Sequence, residues 1–330
     1  MTTPSVVMTA FLLLTTAASA QAANYYNCAV NTGCVSVSAP NASSTYAKTQ
    51  YPVVFAHGML GFGKIGPVDY WYGIPADLTQ NGATVYVTKV SALNSSELRG
   101  EQLLSQVQNI VAISQKAKVN LIGHSHGGQS IRYVASVAPQ LVASATSVGS
   151  PHLGSPVADL ISGVATNDPT GLLSPILSTV VNAFGALENG FSGGGGYSQD
   201  SLKTMYSLST VGAAAFNQKF PMGLPTTTCG QGSAVSNGIR MYSWGGTKTL
   251  TNLLDPLDGF LGLTGLAFMG EANDGLVGRC SNHFGAVIRD NYGMNHVDEI
   301  NHAFGLVNLL ETNPKSVFRA HANRLKNAYL

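Results

Sequence analysis

The stretch Val119-Asn120-Leu121-Ile122-Gly123-His124-Ser125-His126-Gly127-Gly128 decides how this chain is read. Its first four residues are a short apolar run of the kind that forms a buried strand. Beyond it, Ile131, Val134 and Ala135 fall at helical spacing. A serine at the apex of a tight turn between strand and helix, with glycine two residues to either side, is the pattern of a nucleophile elbow. The apex backbone must adopt a strained conformation so that the hydroxyl stands proud of the sheet edge. Gly123 and Gly127 remove the side chains that would collide as the helix folds back over the strand.

The same alternation continues on both sides. Tyr51-Pro52-Val53-Val54-Phe55-Ala56 reads as a buried strand running into the glycine-punctuated loop His57-Gly58-Met59-Leu60-Gly61. Ala83–Thr88 is rich in strand formers, and residues 97–114 carry Leu103, Leu104, Val107, Ile110 and Val111 at helical spacing. Ala143–Val148 is a further small-residue strand. Strands alternating with helices imply one α/β domain over residues 51–330, with a mostly parallel sheet covered on both faces. The alternation breaks after residue 155. Ser174-Pro175 starts a helix with Ile176, Leu177, Val180, Val181, Phe184 and Leu187 on one face, between glycines that include Gly193-Gly194-Gly195-Gly196. A largely uncharged helix between such hinges, over roughly residues 156–200, fits either a mobile lid or an ordinary core helix with glycine-rich connectors. Ile239–Trp244 reads as a strand, and Asn313-Pro314 opens a last helix.

Composition narrows the class. Of 330 residues only 10% are charged, with a net charge of +1. No basic run appears, so nucleic acid is excluded as a partner. The mean hydropathy of +0.14 suits a chain that works at a lipid–water interface. Val6–Ala20 resembles the apolar core and small-residue cleavage site of a signal peptide ending near residue 23, although no Lys or Arg precedes it. This implies export through the periplasm and a secreted mature chain without a membrane anchor. Residues 24–50, polar and small, read as an N-terminal arm. Four cysteines fit an oxidising compartment, and the simplest of three connectivities pairs Cys28 with Cys34 and Cys229 with Cys280. The second bridge is worth about 4 kcal/mol in the chain-entropy model.

A serine hydroxyl needs a base to take its proton and a carboxylate to orient that base. On an α/β-hydrolase fold the chain order is Ser, acid, His, so the base lies well downstream of Ser125. His283, His296, His302 and His321 are available there. His296 occupies a loop-like segment, Gly293-Met294-Asn295-His296-Val297-Asp298, where the base loop is expected. His321 sits in the last helix. Asp274, before a glycine in Ala272-Asn273-Asp274-Gly275, suits an orienting acid, with Asp255 and Asp258 as rivals. An oxyanion needs preorganised N–H donors. The amides of His126, after the nucleophile, and Met59, in the loop after an early strand, are the candidates.

Together these residues make a wider resemblance. Ala56-His57-Gly58-Met59-Leu60-Gly61-Phe62, Val68-Asp69-Tyr70-Trp71, Arg99-Gly100-Glu101-Gln102-Leu103-Leu104, the elbow, Ala272–Gly278, Ile288–Tyr292 and Asn323–Asn327 resemble the bacterial secreted triacylglycerol lipases of the foldase-dependent Pseudomonas and Burkholderia type. The resemblance implies Ser125 as nucleophile, Asp274 as acid and His296 as base, with Met59 and His126 as oxyanion donors. It implies a lid, a dedicated lipase foldase as partner, and pairing of Cys229 with Cys280. It also implies one structural Ca²⁺ held by Asp255, Asp298 and the backbone carbonyls of His302 and Leu306, an all-oxygen set that suits a hard cation. The arm with Cys28 and Cys34 has no counterpart in that pattern. The expected reaction is hydrolysis of long-chain triacylglycerols through an acyl-enzyme. The rivals are a broader carboxylesterase or polyester hydrolase on the same residues, and a catalytically dead lipid-binding protein.

Overall fold

The computed structural model describes residues 24–59, 61, 64–65, 68–163 and 197–330. The signal-peptide segment and most of the expected lid, including the Ser174-Pro175 helix start, lie outside the described residues.

Eleven strands are present among the described residues: β1 (Tyr25–Ala29), β2 (Gly33–Ser36), β3 (Val53–Ala56), β4 (Lys64–Ile65), β5 (Val68–Asp69), β6 (Val85–Thr88), β7 (Val119–His124), β8 (Val142–Val148), β9 (Val235–Ser236), β10 (Ile239–Gly246) and β11 (Ala286–Tyr292). The main sheet runs β11-β10-β8-β7-β3-β6-β1-β2, with β9 against β10, while β4 and β5 form a separate ribbon. All neighbours from β11 to β1 pair in parallel. Every residue of β3, β7 and β8 is buried, as expected of strands covered on both faces.

The two faces follow from the two-residue period of a strand. Val54, Leu121 and Ala145 point to one side. There they meet Leu103, Val107 and Ile110 of helix α2 (Ser96–Ser114) and Ile131 and Val134 of helix α3 (His126–Val137). Val53, Phe55, Ile122 and Val148 point to the other side. They pack on Ile74 and Leu78 of the short helix α1 (Ile74–Gln80), and on Val317, Phe318 and Ala322 of the last helix, Pro314–Asn327. Local signals set the helix starts. Ser95 accepts from the Leu98 amide at 3.3 Å, and Asn313 from the Lys315 amide at 3.0 Å.

The N-terminal arm is corrected by the structure. Residues 25–36 are a hairpin built into the sheet, with β1 parallel to β6 and antiparallel to β2. Composition hid this because the strands are short and mostly polar. Tyr25 and Cys28 are buried, and Tyr26 stacks on Tyr86 with ring centroids 4.7 Å apart. Cys28 and Cys34 are directly opposed in the register and are disulfide-bonded. Replacing both by serine should cost about 2 kcal/mol by the loop-closure argument. Urea unfolding measures this, and an unchanged midpoint would mean the hairpin holds its place without the bridge.

Candidate active site

Chain entry into the site is through β7. Its last residues, Gly123 and His124, lead to Ser125 at φ 56°, ψ −129°, after which α3 begins at His126. The strained turn is held from both sides: the Ser125 amide donates to the Val148 carbonyl of β8 at 2.9 Å, and the Gly128 amide donates to the Ser125 carbonyl at 2.9 Å. A Cβ on Gly127 would overlap the Ala56 carbonyl, and one on Gly123 would overlap the Gly127 carbonyl. The glycines are therefore required by close backbone approach. Ser125 keeps 8% exposure between His124 at 1% and His126 at 0%.

Beside the serine lies the loop after β3. A Cβ on Gly58 would meet Ser125 Cβ and the Tyr70 hydroxyl. The Gly58 carbonyl is held by Arg99 Nη2 at 3.1 Å and His57 Nδ1 at 2.8 Å. His57 Nε2 accepts from the Val90 amide at 3.1 Å, so Nδ1 carries the proton and donates. Burial and the Arg99 charge pull the His57 pKa down to about 3, which keeps the ring neutral. In a trans peptide the N–H points opposite to the C=O. Anchoring the Gly58 carbonyl therefore turns the Met59 N–H away from Arg99. Arg99 also binds the carbonyls of His57, Ser91 and Ala92, and is fully buried.

Asp274, in the excursion between β10 and β11, comes together with His296, in the loop after β11. His296 Nδ1 and Asp274 Oδ2 are 2.8 Å apart, both side chains buried. The other carboxylate oxygen of Asp274 accepts from the amides of Leu276 at 2.9 Å and Val277 at 2.7 Å. The His296 amide donates to the Asp274 carbonyl at 2.9 Å. The two loops are thus fixed to each other at backbone and side chain. The His296 ring lies 4.5 Å from that of His124, the residue before the serine. A little further on, the Cys229–Cys280 disulfide forms as expected.

The rival residues have other work. Asp258 accepts from the amides of Thr251 at 2.6 Å and Asn252 at 2.8 Å, and from Asn295 Nδ2 at 2.8 Å. His321 is buried against Thr146 Oγ1 at 2.8 Å. His283 bonds Asp290 at 3.0 Å beside the disulfide. Asp255 and Asp298 each keep one buried oxygen without a hydrogen-bond donor among the described residues, Oδ2 and Oδ1 respectively. Burial, with the charges of Asp255 and Asp258 nearby, raises the Asp298 pKa to about 7. The Asn252 side chain ties the Asp255 loop to the Val307 carbonyl at 3.1 Å, next to Leu306. His302 lies within a left-handed run, with positive φ at Asn301, Ala303, Phe304 and Gly305. Strain of this kind clusters at ligand clamps. Unpaired acidic oxygens with raised basicity beside a strained carbonyl-bearing loop fit a hard cation.

A different group, His124, His296 and Glu299, brings one ligand atom each within 4.8 Å. His296 Nδ1 is already committed to Asp274, so an ion there would consume the remaining nitrogen of the expected base. Burial also drives the His124 pKa well down and that of Glu299 well up. Their side chains lie 3.4 Å apart. The contacts of Arg99, Tyr70 and Glu299 at this site are not foreseen by the sequence reading. Arg99 and Tyr70 stand inside the long matching stretches, which was the available signal, but their partners are distant in the chain.

A serine on an elbow beside a buried Asp–His pair, all at the end of a parallel sheet, is the layout of an α/β hydrolase. The pattern of the α/β hydrolase fold family matches residues 51–234. A triacylglycerol lipase of Vibrio cholerae is 53% identical, with 86% of this chain and 90% of that protein covered. Triacylglycerol lipases of Burkholderia plantarii (42% identical, 86% and 88% covered) and Pseudomonas fragi (40%, 86% and 98%) are similar over the same share of the chain. The fold is also that of the solved Staphylococcus hyicus lipase, at a TM-score of 0.58 and 20% identity over 89% of this chain and 99% of that one. The chain belongs to the triacylglycerol lipase family of the α/β hydrolases and is an ester hydrolase.

Proposed function

We propose that the chain hydrolyses long-chain triacylglycerols at a lipid–water interface, with Ser125 as nucleophile. The observation that carries this is the buried Asp274–His296 pair beside the elbow. His296, held by Asp274 in the tautomer that leaves Nε2 free, takes the Ser125 proton as Oγ attacks the ester carbonyl. The amides of Met59 and His126 receive the oxyanion. His296 then protonates the departing glycerol oxygen, leaving an acyl-enzyme on Ser125. Water, deprotonated by His296, attacks the acyl carbonyl and releases the fatty acid, and the proton returns to Ser125.

Asp255, Asp298 and the carbonyls of His302 and Leu306 would hold one Ca²⁺, whose charge would offset the two buried carboxylates. Asp298 follows His296 by two positions, so these ligands would brace the base loop. Two disulfides support an exported, secreted chain. No helix among the described residues is long and apolar enough to cross a membrane. A dedicated foldase is the proposed maturation partner, and a helical lid spanning about residues 156–200 the proposed cover of the site.

Hydrolysis of emulsified long-chain against soluble short-chain esters tests the substrate. Preference for emulsified long-chain esters, rising sharply when the substrate passes its solubility limit, is expected. A preference for short soluble esters would point to a carboxylesterase.

A further inference from the structure

We propose that Tyr70 and His124 form a buried hydrogen-bond relay that couples the loop carrying the Met59 amide to the loop carrying His296. It rests on the roles assigned above to Met59, Ser125 and His296, and it makes Tyr70 and His124 positioning residues for the same reaction. The relay has three links. The Gly58 amide donates to Tyr70 Oη at 2.9 Å. Tyr70 Oη lies 2.6 Å from His124 Nδ1, and His124 Nε2 lies 2.9 Å from the His296 carbonyl oxygen.

Donor and acceptor chemistry gives the relay one direction. A carbonyl can only accept, so His124 Nε2 carries a proton. His124 is 1% exposed, and with Nδ1 also protonated Tyr70 Oη would accept from both Gly58 and His124, leaving its own buried proton without an acceptor. It is therefore a neutral ring, and Nδ1 is bare. Tyr70 then donates to Nδ1 and accepts from Gly58, which uses its single proton. Each member has one role, and reversing any link leaves a buried group unpaired.

The two ends are the parts of the site that must be aligned to within fractions of an ångström. At one end, Tyr70 holds the amide side of Gly58, while Arg99 and His57 hold its carbonyl side. At the other end, the bond to the His296 carbonyl fixes the backbone from which the base projects. Ser125 sits between them, directly after His124. Tyr70 is also packed edge-on against Trp71, at 5.3 Å between ring centroids, which limits its motion.

The test uses Tyr70→Phe, His124→Gln and the double variant in the full mature chain, with a soluble short-chain ester. Each single variant is expected to lose between about tenfold and a hundredfold in kcat while KM stays within about twofold. Because the links act as one unit, the double variant should be no worse than the worse single. A folded variant with wild-type kcat, or a loss carried by KM, overturns the proposal. Should the variants not fold, ¹⁵N shifts of the wild-type histidines decide the matter. A bare Nδ1 and protonated Nε2 on His124 are expected, and a proton on Nδ1 overturns the relay. Fluorophosphonate labelling of folded wild type reports on the parent reading separately. If Ser125 does not label, that reading falls and the relay's function with it; if it labels and the variants keep full kcat, only the relay falls.

Discussion

Ser125→Ala should lower kcat by about 10⁶-fold on any ester while leaving the fold intact. The size follows from the unity of the constellation. Without Oγ no acyl-enzyme forms, and His296 and Asp274 have no proton to move. What remains is the oxyanion amides and binding, worth about 10³–10⁴ over water. The fold should survive because the elbow is held by backbone bonds to Val148 and from Gly128, and by the glycines around it, none of which uses the serine hydroxyl. The measurement is kcat together with thermal unfolding of the same preparation. A Ser125→Ala enzyme with a normal melting temperature and activity within about tenfold of wild type would remove Ser125 from the mechanism. It would revive the idea of a scaffold whose chemistry lies elsewhere.

Chelation of the proposed Ca²⁺ should destabilise the protein, and more so at pH 8 than at pH 5. The sign comes from Asp298. Its folded pKa without an ion is about 7, above an unfolded carboxylate at about 4. The ion-free native state therefore binds more protons than the unfolded chain between these values. Its stability falls as pH rises from about 4 to 7, by at most on the order of 4 kcal/mol. A bound divalent cation favours the ionised carboxylates and cancels this loss. EDTA should consequently lower the melting temperature by several degrees at pH 8 and much less at pH 5. Asp298→Asn should abolish the EDTA effect. An unchanged melting temperature at pH 8 after verified metal removal would sink the site, and an equal drop at both pH values would sink its link to Asp298.

The elbow and the strands around it were legible because they are local. Val119–Gly128 carries its own geometry: an apolar run, two glycines at the positions of closest backbone approach, and a helical repeat. An order of serine, then acid, then histidine is likewise readable, since chemistry restricts which residue types can serve. The choice of Asp274 over Asp255 and Asp258 was not settled by the residue pattern, and rested there on resemblance. All three are acids near turns, and only the folded chain shows Asp274 bonded to His296 while Asp258 is consumed by Thr251, Asn252 and Asn295. The N-terminal hairpin is not legible in the sequence because strands of four or five residues with polar outward faces carry almost no periodic signal. Their stability comes from the open edge of β6 and from a disulfide.

By itself the sequence determined the alternating α/β plan, the strained serine and the set of residues able to act as acid and base, because these depend on spacing and side-chain type within short stretches. Tertiary structure alone decided which distant groups share a buried volume. Arg99 reaching the Gly58 carbonyl, Tyr70 joining Gly58 to His124, and the unpaired oxygens of Asp255 and Asp298 all arise from contacts between separate loops. Inside a low-dielectric interior each polar atom must find its partner wherever the chain brings one, and sequence distance places no limit on where that is.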